Sequence, residues 1–152
     1  NGLGDLFVMI FFGFVAVCGT AFVQMSSVPS TAWLAAIPIG ALATGILTVN
    51  NVRDFEGDRE AGKRTLVVRF GRRWGVLEYL TLIVVSYAMP VIMFLLDFTH
   101  AWGLLPLLTL PWALKLVRSV SRDQGPTLNH TLAGTAKLLS VFGFLFAIGI
   151  VL

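Results

Sequence analysis

Residues 32–52 read AWLAAIPIGALATGILTVNNV and contain no charged side chain. A helix rises 1.5 Å per residue, so about 20 residues cross a bilayer core of about 30 Å. The stretch has that length and lacks a polar face. A helix that is apolar all round is buried, either in protein or in lipid.

Four more stretches share this character. They are residues 3–25, with Asp5 near the start; 76–96, with Glu78 at the edge; 101–117, which carries Pro106 and Pro111; and 132–152, with Lys137 in its second turn. The two prolines each delete a backbone donor and predict a kink in the fourth stretch. The whole chain is 57 % hydrophobic and 12 % charged. A soluble domain shows roughly 45–50 % apolar and about 25 % charged residues. This balance excludes disorder and a collagen-like fibre, and it argues against an ordinary soluble domain. The single cysteine, Cys18, excludes an intramolecular disulfide framework and a multi-cysteine metal knuckle. A net charge of +3 is too small to indicate nucleic acid. The expected fold class is therefore an all-α membrane protein with five transmembrane helices in a single integral membrane domain spanning residues 1–152. The first stretch lacks the basic start of a signal peptide. The sequence begins with Asn1, not Met, and is expected to be a piece of something longer.

Most of the charge lies in one polar island, residues 53–75. Arg53, Arg59, Lys63, Arg64, Arg69, Arg72 and Arg73 are seven of the 11 Lys and Arg residues; Asp54, Glu56, Asp58 and Glu60 are four of the 8 Asp and Glu residues. The next connection but one, residues 118–131, carries Arg118 and Arg122. The first and third connections carry no Lys or Arg. Basic residues thus fall on alternate connections, and the positive-inside rule predicts that the island and the fourth connection are cytoplasmic. Residues 1–5 then start on the cytoplasmic side. Trp74 at the inner boundary, and Trp33 and Trp102 at the outer one, fit an aromatic belt.

The second stretch runs into the sequence NNVRDFEGDREAGKRT, residues 50–65. If helical geometry continues past Val52, Asn50, Asp54 and Asp58 follow one another at i, i+4 and i+8 on one side. Two carboxylates four residues apart repel each other, and a divalent cation would remove the conflict. Oxygen donors without a His or Cys cluster suit Mg2+, which takes one or two carboxylates and shares the rest with water and phosphate. Lys63 and Arg64 follow, and such bases hold phosphate oxygens, Arg bidentately and Lys as a point charge. Gly57 and Gly62 would let the backbone turn there. Acids for a metal beside bases for an anion, joined to an apolar bundle, suit a substrate with a charged head and a long apolar tail. A solvated positive-inside anchor remains an alternative reading. Asp5 either caps the first helix or faces the cavity and orients an acceptor.

The run NNVRDFEGDREAGKRTLVVRFG, residues 50–71, resembles the second aspartate-rich motif of the UbiA-type membrane prenyltransferases. Its double Asn, Arg53 and Gly-Lys-Arg-Thr-Leu stretch are most similar to the menaquinone-pathway branch, the 1,4-dihydroxy-2-naphthoate prenyltransferases. Gly2-Leu3-Gly4-Asp5 before an apolar helix also looks like that branch. The resemblance covers the chain as the second half of a nine-helix bundle. It implies Mg2+-dependent transfer of a prenyl group from a polyprenyl diphosphate to an aromatic acceptor, with decarboxylation to demethylmenaquinone. By the same resemblance Asp54 and Asp58 are metal ligands and catalytic, with Asn50 joining them. Lys63, Arg64 and Arg53 bind the diphosphate, and Asp5 is a weaker candidate for the acceptor. The implied partners are the two substrates, the lipid bilayer and the N-terminal half of the same protein, with no nucleic acid. The implied location is the bacterial plasma membrane with the active-site loop cytoplasmic. The first aspartate-rich motif is not in this sequence, so the piece alone is expected to be inactive. Rival readings are half of a membrane transporter, which would put its acids near the bilayer midplane, and a UbiA-type enzyme with a different aromatic or lipid acceptor.

Overall fold

The computed structural model describes residues 2–152; Asn1, the first residue of the expected cytoplasmic start, lies outside the described residues. Among the described residues every regular element is helical. Five helical spans are long and apolar enough to cross a membrane: Gly4–Met25, Ser30–Arg53, Arg72–Leu95, Ala101–Arg122 and Gly125–Val151. The expected all-α architecture is the one observed. We label the helices α1 (Gly4–Met25), α2 (Ser30–Arg53), α3 (Phe55–Glu60), α4 (Leu66–Phe70), α5 (Arg72–Leu95), α6 (Leu110–Arg122) and α7 (Leu128–Val151).

The spans extend further than apolar length alone suggests. The third begins at Arg72, the fourth runs on to Arg122, and the fifth takes in Gly125–Thr127 as a short 3-10 turn. These extensions are amphipathic. On α6, Ala113, Leu116 and Val120 are buried while Lys115, Arg118 and Arg122 are exposed, the 3.6-residue period of a half-wet helix. The polar island is not a plain loop either, because it contains α3 and α4. Pro106 lies within a 3-10 stretch, Ala101–Thr109, and Pro111 falls in the first turn of α6. A first-turn proline gives up a donor that has no intrahelical partner. The expected kink therefore takes the form of a change of winding between residues 109 and 110.

Helix α2 is the hub, packed against α1, α5 and α7. Its small buried residues, among them Ala36, Gly40, Ala41 and Gly45, let neighbouring backbones come close. At the crossing with α1, a Cβ added to Gly13 would lie 2.8 Å from both the Gly40 Cα and the Ala36 carbonyl oxygen. Over Met9–Val15, around this crossing, α1 winds as a π-helix. Tyr79 of α5 lies over Gly45, where an added Cβ would meet its ring at 3.4 Å. The Tyr79 hydroxyl meets that of Thr135 at 2.9 Å. Thr135 in turn donates to the Thr131 carbonyl at 2.8 Å, so Tyr79 is the donor in the first bond. Tyr87 and Thr109 make the same kind of chain onto the Pro106 carbonyl. Phe142 stands edge-on to Tyr87 with centroids 5.4 Å apart. In hydrocarbon every polar group needs an internal partner, and these relays supply it.

The up-and-down order brings the start of α1, the end of α2, α3, α4, the start of α5, the end of α6 and the start of α7 to one end of the bundle. Arg72 ties this end together. Its guanidinium donates to the carbonyls of Val120 at 2.8 Å, Asp123 at 2.6 Å and Ser121 at 3.2 Å, closing the exposed end of α6.

Candidate functional site

The helical path continues through the motif with one change of direction. Asp54 leaves helical geometry at φ −92°, ψ 7°, between α2 and α3. The i→i+4 bonds nevertheless run through it: the Asp54 N–H reaches the Asn50 carbonyl at 3.0 Å, and the Asp58 N–H reaches the Asp54 carbonyl at 2.8 Å. Asn50, Asp54 and Asp58 therefore lie one turn apart in succession, as their spacing predicts.

Each acid carries a cationic partner. Arg53 grips Asp54 bidentately, Nε to Oδ1 and Nη2 to Oδ2, both at 2.7 Å. The same guanidinium donates to Asn50 Oδ1 at 2.8 Å and to Asn129 Oδ1 of α7 at 2.9 Å. Asp58 is buried, and Lys63 reaches its Oδ1 at 2.6 Å. That second pair is built by the local sequence. Gly62 adopts φ +70° just past α3. Its N–H bonds to the Arg59 carbonyl at 3.2 Å, and the Lys63 N–H bonds to the Asp58 carbonyl at 2.9 Å. These two bonds define a Schellman cap, which favours Gly because only Gly takes the left-handed conformation without strain. The cap folds Lys63 back over the helix end and onto Asp58. Gly57, by contrast, sits inside α3 and makes no turn.

The electrostatics follow from these contacts. The hydrogen-bonded Arg53 guanidinium holds the Asp54 carboxyl below the usual carboxylate range. Asp58 raises the Lys63 ammonium above the usual lysine value. A metal ion would thus compete for Asp54 against Arg53, not against a proton.

Beside this motif lies a cavity of about 380 Å³. Asp5, Leu47, Asn51, Lys63, Arg64 and Thr65 line it. Its size is in the usual range for a small-molecule site. Lys63 and Arg64 therefore meet at one opening, as the sequence suggests. Arg53 is not among the lining residues; it borders a separate hollow of about 280 Å³ with Phe55, Arg72 and Gln124. Of the two adjacent asparagines, Asn50 serves Arg53 and the buried Asn51 lines the cavity. Asn51, Thr65 and Asn129 were not singled out from the sequence. Asn51 shares a helical side with Asp58 seven residues on, a spacing that could have flagged it.

The donor set suits a hard divalent cation. Two carboxylates and an amide oxygen stand on successive turns, and each already accepts a cationic side chain. Among the described residues no group of three His, Cys, Asp or Glu completes a metal centre. Two carboxylates suffice for Mg2+ when water and phosphate supply its remaining ligands.

The UbiA prenyltransferase family matches residues 1–141. The chain belongs to the UbiA prenyltransferase family. Among its relatives is a protein of Escherichia coli (strain K12) named 1,4-dihydroxy-2-naphthoate octaprenyltransferase, 36 % identical over 99 % of this chain and 49 % of that protein. A protein of the same name from Mycobacterium leprae (strain TN) is 32 % identical over 97 % of this chain and 49 % of its own length. The Homo sapiens protein named UbiA prenyltransferase domain-containing protein 1 is 37 % identical over 99 % of this chain and 43 % of its own length. The chain spans about half the length of the curated relatives it matches. As a member of the UbiA family with five membrane-length helices, it is an integral membrane protein.

Proposed function

We propose that the complete protein transfers a prenyl group from a polyprenyl diphosphate to an aromatic acceptor, and that this acceptor is 1,4-dihydroxy-2-naphthoate, converted with loss of its carboxylate to a demethylmenaquinone. The observation that carries this reading is the column of Asn50, Asp54 and Asp58 oxygens beside a cavity walled by Lys63 and Arg64. The names of the relatives support the choice of acceptor.

Asp54 and Asp58 would hold Mg2+, with Asn50 beside them. The ion would supply positive charge to the leaving diphosphate. The chain's own residues do the rest. Lys63 lies between Asp58 and the cavity, and Arg64 stands next to it, so both bases meet an anionic headgroup at the opening. Such fixed charges stabilise charge that develops as the allylic C–O bond breaks. Arg53 positions Asp54 and Asn50 and links them to α7 through Asn129. The apolar spans provide a dry surface for the prenyl chain. The basic end faces the cytoplasm under the positive-inside rule. This activity belongs to the complete protein, with a second aspartate-rich motif from its other half facing this one. The transporter reading has less support: α2 ends at Arg53, so Asp54 and Asp58 lie at the end of a span and not at its middle.

The test is the purified complete protein in detergent or nanodiscs, given a radiolabelled polyprenyl diphosphate, Mg2+ and 1,4-dihydroxy-2-naphthoate. A labelled, decarboxylated quinol precursor is expected, and chelation of Mg2+ should stop its formation. Failure to prenylate any hydroxyaromatic acid would overturn the reading. Lys63→Ala should raise the KM for the prenyl diphosphate about tenfold or more, the scale of one charge-assisted contact of about 1.5–3 kcal/mol. An unchanged KM would remove Lys63 from the site.

A further inference from the structure

The cavity has two chemically different walls. Lys63, Arg64 and Thr65 form one. Asp5, from the start of α1, and Asn51, from the end of α2, form the other. The basic wall suits the anionic groups of a substrate. A carboxylate facing it needs a different explanation, because a diphosphate has only acceptors to offer and would be repelled by Asp5.

The ordinary duties of such a residue are not being performed. The start of α1 has no side-chain cap hydrogen bond, so the capping role suggested by position is not filled. None of the ion pairs among the described residues involves Asp5. Its Oδ1 is buried and has no hydrogen-bond partner. The nearby Glu78 of α5, close enough for Asp5 to influence it, also has an oxygen, Oε2, buried without a partner. A buried acceptor left without a donor costs about 1–3 kcal/mol, so one that opens on a cavity marks a place where a ligand brings a donor.

We propose that Asp5 binds a ring hydroxyl of the aromatic acceptor, with the hydroxyl donating to its carboxylate while the basic wall faces the anionic groups in the cavity. The cavity then selects rings that carry a free hydroxyl. This rests on the proposed prenyl-transfer function and assigns one residue of this chain to the acceptor. Asp5 lies 49 and 53 positions before Asp54 and Asp58, so the acceptor and metal roles fall on different helices.

The experiment uses the complete protein and two ligands, a dihydroxynaphthoic acid and its mono-methyl ethers. Equilibrium binding is measured by ligand fluorescence, and KM is measured for both substrates. The wild-type protein should bind the ether that blocks the contacting hydroxyl about tenfold or more weakly than the free diol. Asp5→Asn should raise the KM for the diol by a similar factor, leave the KM for the prenyl diphosphate unchanged, and lose the preference for diol over ether. Equal binding of the diol and both ethers by the wild-type protein would overturn the proposal, whether or not Asp5→Asn folds. So would an Asp5→Asn variant that keeps the preference. Direct binding separates this proposal from the function: a protein that binds the diol through Asp5 but transfers no prenyl group contradicts only the proposed reaction.

Discussion

Asp54→Ala and Asp58→Ala in the complete protein should each lower prenyl-transfer turnover by roughly 10²–10³-fold, the scale seen when one preorganised electrostatic contact to developing charge is removed. The two variants should also differ from each other. Asp54→Ala removes the bidentate partner of Arg53, which keeps its bonds to Asn50 and Asn129. Asp58→Ala releases Lys63 from a buried carboxylate. Both should shift the Mg2+ dependence to higher concentration. Turnover against Mg2+, with thermal unfolding as the check on folding, measures this. Near-normal turnover at ordinary Mg2+ in either variant would remove that residue from the metal site. The lowered pKa of Asp54 adds a condition. A carboxyl whose folded value is depressed contributes stability above its unfolded value and loses that contribution as pH falls through the folded value. The Arg53–Asp54 pair should therefore be fully formed at neutral pH and weaken only in strong acid.

The second large effect concerns the fold. Gly13→Leu should separate α1 from α2. The first atom of the new side chain would stand 2.8 Å from two backbone atoms of α2, and backbone cannot rotate aside as a flexible side chain can. Overpacking at a tight contact costs about 1–3 kcal/mol and occasionally more, and this crossing is at the upper end because both neighbours are main chain. A drop of several degrees in the unfolding midpoint in detergent is expected. Gly19→Leu on the same helix is the control, since a Cβ there meets nothing within 4 Å. Equal midpoints for the two variants would show that the crossing is looser than described.

Much of this protein can be read from local sequence. The charge-free stretch 32–52 implies a membrane-length helix because bilayer thickness is a length criterion that one segment meets alone. The order of Asn50, Asp54 and Asp58 is equally local, because successive turns of a single helix set it. Even the return of Lys63 to Asp58 follows from a glycine placed one residue past a helix end. The ends of the spans were less legible. Apolar counting stops at the first polar residue, whereas α6 continues to Arg122 by turning its charged side outward.

The five spans and the aspartate spacing were thus determined by the sequence itself, because each depends on geometry repeated along a single helix. The tertiary structure alone decided that Asn51 and not Asn50 lines the cavity, that Arg53 turns to Asn129, and that Asp5 confronts Lys63 and Arg64. Those pairings join residues tens of positions apart. They depend on how closely helices cross, and that is governed by contacts such as Gly13 on Gly40, which no local period encodes.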